Sequence, residues 1–313
     1  MKIIDNPKKE NWRTILQRPT QSFKDIEPVA NSIFNDIKLR GDIAIAAYTL
    51  QFDKVELLSM LVSSVEIEAA KNSVSEELKQ AIQLAKSNIE KFHKAQQTAT
   101  VSVETTKGVR CWQEKRPISS IGLYIPGGTA PLFSTVLMLA IPAQIAGCKE
   151  VVLCTPPNAE GVVNSAILYT ANLCGVTKIY KVGGIQAIAG MTFGTETIPQ
   201  VLKIFGPGNQ FVTVAKQLST KFGVAIDMPA GPSELLVFAD DSANASFVAS
   251  DLLSQAEHGI DSQVILVSTS KEMIKCVEKE IHEQLSKLPR KDIAAQAILN
   301  SKLIYVESKE IAL

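Results

Sequence analysis

Several features that mark common protein classes are missing from this sequence of 313 residues. Lys and Arg number 32, as do Asp and Glu, so the formal net charge is zero. We therefore expect neither nucleic acid nor a membrane surface as a partner. The first residues lack the apolar core of a signal peptide, and the most apolar window, residues 132–143, is shorter than the roughly 20 residues that span a bilayer. These absences predict a cytoplasmic protein.

Cysteine is sparse and shows no pairing pattern. The chain has five cysteines and no C-x-x-C spacing, the five being Cys111, Cys148, Cys154, Cys174 and Cys276. We expect no disulfide framework and a reducing compartment. None of the five lies in a turn beside an obvious base, which disfavours a nucleophilic thiol. An aldehyde dehydrogenase with a catalytic cysteine stays open as an alternative.

Residues 1 to about 100 are predicted to be helical. Apolar residues recur at helical spacing from Lys24 to Arg40, and Gly41 is expected to end that helix. Val65 to Lys94 is amphipathic, with Ser75 as a candidate cap of its second segment. A hairpin with strands near 101–103 and 109–114 is predicted to follow. No candidate catalytic residue stands out in this part.

The pattern changes after Arg116. Between Ile121 and Asp227, a short apolar strand, a turn and a helix follow one another four times. This alternation predicts a parallel, doubly wound sheet with right-handed crossovers. Ligands of such sheets bind outside the carboxyl ends of the strands, which is where the turns lie.

Glycine-rich turns follow three of these strands, at residues 126–128, 183–184 and 206–208. Glycine lets the backbone approach a phosphate at a helix N-terminus, although it also makes ordinary tight turns. The dinucleotide fingerprint G-x-G-x-x-G is absent. Tyr124, Gln186 and Asn209 lie at the turns and are expected to converge on one edge of the sheet. The pattern by itself supports a nucleotide or another small polar ligand.

The stretch from Asp227 to Gln263 holds a second candidate site. A Pro/Gly-rich turn and a short strand precede a helix that Asn244 is expected to cap. Helical spacing places three polar side chains within an arc of roughly 60°, namely Asp251, Gln255 and His258. Gln is a poor zinc ligand, and a His at a helix end is also an ordinary cap, so this cluster alone is a weak indication of metal.

Five ordered stretches carry a resemblance to a known family. The two most specific are Ile226–Glu234 (Ile-Asp-Met-Pro-Ala-Gly-Pro-Ser-Glu) and Asp251–Gly259 (Asp-Leu-Leu-Ser-Gln-Ala-Glu-His-Gly). The others are residues 116–132, 182–189 and 204–209. Together they resemble the N-terminal portion of the histidinol dehydrogenase family, and the likeness extends from the N-terminal helices to Leu313.

This resemblance implies an α/β fold like that of aldehyde dehydrogenases, with two incomplete Rossmann-like lobes, parallel sheets and an N-terminal helical segment. Residues 121–233 would form an inserted nucleotide-binding lobe. Residues 1–120 and 234–313 would form an incomplete substrate and zinc lobe.

The same resemblance implies an activity. The family oxidises L-histidinol via L-histidinal to L-histidine, the last step of histidine biosynthesis, and passes one hydride to each of two NAD molecules. It further implies one Zn²⁺ per subunit and a homodimer. Carried over position by position, the three turn residues Tyr124, Gln186 and Asn209 would contact NAD. Ser233 would contact the substrate, and Gln255 and His258 would bind both zinc and substrate, whereas Asp251 receives no role.

The family chain continues well beyond the point that matches Leu313. That further part carries a Glu-His acid/base pair, an Asp and a His that complete the zinc site, another substrate-binding Glu and the dimerising tail. We therefore expect the 313 residues alone to be a weakly active or inactive fragment. The competing hypothesis is a truncated nucleotide-binding or assembly protein without catalysis.

Overall fold

A computed structural model of the chain describes residues 1–17, 23–127, 130–229 and 234–313. The strands are β1 (Lys2–Asp5), β2 (Ser102–Thr106), β3 (Val109–Trp112), β4 (Ser120–Tyr124), β5 (Glu150–Thr155), β6 (Lys178–Lys181), β7 (Lys203–Phe205), β8 (Ala225–Ile226), β9 (Glu234–Ala239), β10 (Gln263–Ser268) and β11 (Lys302–Tyr305).

The α-helices are α1 (Trp12–Ile15), α2 (Phe23–Arg40), α3 (Asp42–Asp53), α4 (Ser64–Ser73), α5 (Glu76–Ala95), α6 (Phe133–Ala146), α7 (Ser165–Leu173), α8 (Gly184–Phe193), α9 (Gln210–Ser219), α10 (Ala245–Ala256), α11 (Lys271–Leu285), α12 (Lys291–Leu299) and α13 (Lys309–Ala312). Short 3₁₀ helices cover Lys9–Asn11 and Thr220–Phe222. The chain divides into two compact units, one from residues 1–22 and 231–313, which we call the outer unit, and one from residues 23–230, which we call the inner unit.

The inner unit contains a five-stranded parallel sheet in the order β6-β5-β4-β7-β8. The chain enters at the central strand β4, winds outwards to β6 and then returns to β7 on the other side. The predicted doubly wound parallel sheet is therefore confirmed. The winding direction reverses between β4 and β7, and this switch point is where such sheets open a crevice for ligands.

Helices cover both faces of this sheet. Alternating strand residues supply the two cores because successive side chains point to opposite faces. Leu123 and Leu153 pack with α4 to α7, whereas Tyr124 and Cys154 pack with α2, α3, α8 and α9. The strands are accordingly short, and apolar residues lie on both of their faces, as in buried parallel strands.

The outer unit contains a four-stranded parallel sheet in the order β1-β11-β10-β9. Helices α10, α11 and α12 pack on one face, around residues such as Leu266 and Leu303. On the opposite face the buried cluster is small, comprising Ile265, Val267, Ile304 and Val306. One strand of this sheet departs from the sequence prediction. Residues 1 to 100 were expected to be helical, but Lys2–Asp5 is extended because it pairs in parallel with Lys302–Tyr305.

The compact units also differ from the division expected from the resemblance. That division placed residues 1–120 with the substrate lobe, whereas residues 23–120 pack in the inner unit. The reason is burial of α2 and α3, whose apolar faces (for example Phe34 and Ile45) join the core of the five-stranded sheet. The predicted caps are confirmed, because Ser75 accepts the Leu78 N–H at 3.3 Å and Asn244 accepts the Ser246 N–H at 2.9 Å.

Hairpin β2–β3 is confirmed as predicted, and all its residues are exposed. Across the described ranges, no helix combines the length and apolar character that a bilayer crossing requires.

Candidate functional site

The switch point of the inner sheet is bordered by Tyr124, the last residue of β4. The side chain is 3% exposed, and its hydroxyl oxygen accepts the backbone N–H of Gly184 at 3.0 Å. Burial raises the pKa of Tyr124 to about 12, so the phenol stays protonated at neutral pH. The Tyr124 hydroxyl can therefore donate a hydrogen bond to a ligand while its oxygen accepts a hydrogen bond from the first turn of α8.

The turns after β4, β5 and β6 lie against one another at the carboxyl edge of the sheet. A methyl carbon added at Gly127 would lie 2.4 Å from Pro156, and one at Gly183 would lie 2.6 Å from the same proline. Such distances leave no room for a side chain, so glycine is required at both positions. The backbone of these turns is thereby held close to where a ligand would enter.

The turn after β7 approaches even more closely. Gly206 has φ +135°, and an added methyl carbon would lie 2.1 Å from the carbonyl oxygen of Tyr124. The Gly206 N–H donates to Asp227 at 2.8 Å, and its carbonyl accepts from Nζ of Lys216 at 2.6 Å. Lys216 and Asp227 also form an ion pair with each other. One partly buried ion pair thus fixes both backbone polar groups of Gly206, the residue that shapes this turn.

Asn209 lies at the end of the same turn and caps α9. Its side-chain oxygen accepts the Val212 N–H at 3.1 Å, and the residue itself is exposed. The cap leaves the amide at the N-terminus of α9, where backbone N–H groups and the helix dipole favour a negatively charged group.

Gln186 lies in the first turn of α8 and is 1% exposed. Its side-chain nitrogen is 3.5 Å from Oδ2 of Asp53, at the end of α3. Its side-chain oxygen is buried and has no hydrogen-bond partner among the described residues. An unsatisfied buried amide oxygen is costly in a folded protein, and it is commonly explained by a water or a ligand.

All three predicted nucleotide contacts therefore lie at the carboxyl edge of the inner sheet: Tyr124 ends β4, Gln186 lies in the first turn of α8 after β6, and Asn209 caps α9 after β7. The residues fit a dinucleotide. Two helix N-termini at this edge favour the charge of a phosphate, and an orphaned amide oxygen offers an acceptor. The thiols are less suited to catalysis, because burial raises the pKa of Cys154 and raises that of Cys174 to about 11.

The candidate metal residues lie in the outer unit. Gln255 is half-buried in the last turn of α10, and His258 is exposed. The helix ends at Ala256, and the His258 N–H bonds to the carbonyl of Gln255 at 3.3 Å. The helix thus closes with a tighter i→i+3 turn, so the predicted helical arc does not extend to His258. Within the described ranges, no group of three or more His, Cys, Asp and Glu side chains could hold a metal.

Ser233, the predicted substrate contact, lies outside the described residues. Asp251, which received no role, is exposed.

Two polar features of the inner site escaped the sequence analysis. Asp53 precedes Gln186 by 133 residues, so no spacing rule could connect them. Lys216 was detectable, because it is a charged residue among the apolar positions of α9, and such a residue usually has a specific partner.

Comparisons with known proteins identify similar chains. The family model for histidinol dehydrogenase matches residues 16–313. Histidinol dehydrogenase of Bacteroides thetaiotaomicron is 55% identical over 313 residues, which cover 100% of this chain and 73% of that relative. The Escherichia coli K12 enzyme is 55% identical over 298 residues, which cover 94% of this chain and 68% of the relative. The crystal structure of histidinol dehydrogenase from Elizabethkingia anophelis matches with a TM-score of 0.94 at 58% identity, over 100% of this chain and 72% of that chain.

The family model spans nearly the whole chain, and these relatives are more than half identical to it. The chain therefore belongs to the histidinol dehydrogenase family of oxidoreductases, which act in histidine biosynthesis.

Proposed function

We propose that this protein serves in the NAD-dependent oxidation of L-histidinol via L-histidinal to L-histidine. The observation that carries the proposal is the convergence of Tyr124, Gln186 and Asn209 at the switch point of a doubly wound sheet, in a chain of this family. NAD, when bound, supplies the hydride acceptor of each oxidation step.

The residues of the inner unit would bind and orient that cofactor. Tyr124 would donate a hydrogen bond from its phenolic O–H, and the buried side-chain oxygen of Gln186 would accept a hydrogen bond from the cofactor. Asn209 and the N-terminus of α9 would hold a phosphate. Because helices cover both faces of the sheet, these groups are fixed before the ligand arrives, which lowers the entropic cost of binding.

The substrate contacts are proposed from the resemblance. Ser233, Gln255 and His258 would meet L-histidinol, and the protein would work as a cytoplasmic homodimer. For zinc the described residues do not complete a site. Gln255 and His258 are two donors, whereas zinc centres in proteins commonly use three or four protein ligands. We therefore expect the 313 residues to bind Zn²⁺ weakly, and we derive no catalytic step through the metal.

Calorimetric titration of the purified chain with NAD tests the cofactor site. We expect saturable binding that weakens by about tenfold in Gln186→Leu, since losing a hydrogen bond of a buried polar group costs about 1–3 kcal/mol. His258→Ala, in the other unit, is the control and should leave NAD binding unchanged. Absence of NAD binding by the wild-type chain would overturn the proposal.

A second candidate function is nucleotide binding without catalysis. It is supported by the carboxyl edge of the inner sheet, because Tyr124, Gln186 and Asn209 need no metal to contact a nucleotide. The two functions are separated by calorimetric titration with L-histidinol in the presence of Zn²⁺: the first predicts binding that weakens in His258→Ala, and the second predicts no binding. We expect NAD binding without appreciable turnover by these 313 residues. Turnover that is lost in His258→Ala would show instead that this chain supports the oxidation unaided.

A further inference from the structure

The inner site holds a carboxylate that the cofactor contacts named so far do not use. We propose that Asp53 accepts hydrogen bonds from the hydroxyl groups of the adenosine ribose of the bound dinucleotide, and that its negative charge selects NAD over NADP. The inference rests on the proposed NAD site and names a specificity-determining residue within it.

Asp53 is close to two of the three predicted cofactor contacts. Its Oδ2 lies 3.5 Å from the side-chain nitrogen of Gln186, and its charge contributes to the raised pKa of Tyr124. Since Gln186 lies in the first turn of α8 and Tyr124 ends β4, the carboxylate lies at the same carboxyl edge of the sheet. It comes from α3, which packs on this sheet through Ile45.

The carboxylate of Asp53 has few hydrogen-bond donors within the protein itself. The 3.5 Å contact with Gln186 is at the long limit for a hydrogen bond. The neighbouring Lys54 donates to the carbonyl of Gln51 at 2.8 Å, and none of the ion pairs formed by the described residues involves Asp53. Burial alone raises the pKa of Asp53. A half-buried acceptor without a cation has capacity for donors from outside the chain.

A ribose diol supplies the donors that are missing. Two adjacent hydroxyls can each donate to one oxygen of a carboxylate, which accepts on both oxygens. A 2′-phosphate offers no donor at that position and brings negative charge against the carboxylate, in surroundings where like charges repel more strongly than in water. In dinucleotide-binding folds an acidic side chain on the ribose 2′-hydroxyl has this effect. Here the acidic residue comes from a helix that precedes the sheet in sequence.

The test is calorimetric titration of the 313-residue chain with NAD and with NADP. We expect the wild type to bind NAD at least about tenfold more tightly than NADP. In Asp53→Asn, NAD binding should weaken by about tenfold or more and the preference for NAD should shrink, as expected for loss of hydrogen bonds to a charged group. Asp53→Ser, which also removes the charge, should show the same shrinkage if the asparagine variant folds poorly.

Glu56→Gln is the matched control, because it removes an exposed carboxylate three residues along the chain and should change neither affinity. If the wild type binds NAD but both Asp53 variants keep its preference over NADP, the role of Asp53 is overturned while the NAD site stands. If the wild type binds neither dinucleotide, the NAD site itself is overturned, and Asp53 with it.

Discussion

The two sheets of this protein are both parallel, yet helices cover them unequally. The inner sheet is packed on both faces, around two large buried clusters. The outer sheet has helices α10 to α12 on one face and only a small buried cluster on the other. Its strand β9 lies at the edge of the sheet, where Leu236 is 53% exposed.

The unequal coverage corresponds to a difference between the two candidate sites. At the inner site the side chains of Tyr124 and Gln186 are buried and the turns are fixed by close backbone contacts. At the outer site His258 is exposed and Gln255 is half-buried. A site fixed by packing on both sides is preorganised within its own unit. The outer residues lack that support within their own unit, and their affinity for zinc stays a prediction.

The largest effect should come from creating a cavity in the hydrophobic core of each unit. Ile204 on β7 is 0% exposed, and Ile304 on β11 is 5% exposed and belongs to the small cluster. Ile204→Ala should lower the free energy of unfolding by about 4 kcal/mol, and Ile304→Ala should lower it by about 2 kcal/mol. The loss at Ile304 is smaller because the small cluster can relax around the cavity. Urea unfolding of both variants measures this difference. Equal losses would show that the small cluster is packed as tightly as the large one.

The next effect concerns the turn before α9. Gly206→Ala would place a methyl group 2.1 Å from the Tyr124 carbonyl oxygen, at a residue whose φ is +135°. We expect the free energy of unfolding to fall by about 3 kcal/mol, since strained backbone alone costs about 1–3 kcal/mol. We also expect NAD binding to be abolished. Gly223→Ala is the control, because its φ is +84° with nothing within 4 Å. It should cost about 1 kcal/mol and leave NAD binding intact. Matching losses of stability in the two variants would argue against the close approach.

A smaller effect should follow from breaking the partly buried ion pair of Lys216 and Asp227. Lys216→Met leaves Asp227 without its cation and the Gly206 carbonyl without its donor. We expect a loss of about 2 kcal/mol, below the range for fully buried pairs because Asp227 is 28% exposed. Lys309→Met breaks the exposed pair with Asp240 in the outer unit, and its Tm should stay at the wild-type value. A Tm of Lys216→Met that also stays unchanged would contradict this role of the pair.

Much of the inner fold was accessible from sequence because its signals are local. The alternation of apolar strands with glycine turns and helices between Ile121 and Asp227 predicted the parallel sheet, and the turns placed Tyr124, Gln186 and Asn209 at its carboxyl edge. Strand β1 was missed because four residues become extended only through pairing with β11, which lies about three hundred residues away.

The electrostatic part of the site was harder to predict for the same reason. The contact of Asp53 with Gln186 joins a helix end to a distant helix start, and no local pattern encodes it. At the outer site, the predicted helical arc of Asp251, Gln255 and His258 included one residue too many. Helix α10 ends in a 3₁₀-like turn before His258. The role of Ser233 stays a prediction.

The smallest effect is a dependence on pH. Burial acts to raise the pKa of Glu66. Hydrogen bonds from Lys181 and Ser63 and the positive charge of Lys181 act in the opposite direction and outweigh burial, so the net pKa is lowered from 4.5. A lowered folded-state pKa stabilises the protein above the unfolded pKa, and that stabilisation is lost as the pH falls through the folded value. The carboxylate is 28% exposed and its lysine 11% exposed, so we expect the pair to contribute up to about 1 kcal/mol to the free energy of unfolding.

In Glu66→Gln the fall in Tm from pH 5 to pH 3 should be smaller than in wild type. Asp240→Asn removes a carboxylate of the outer unit whose pKa Ser242 and Lys309 lower. Its side chain is 31% exposed and that of Lys309 is 61% exposed, so solvent and salt screen this pair more strongly. An equal change in both variants would show that burial in the inner unit does not strengthen its ion pairs.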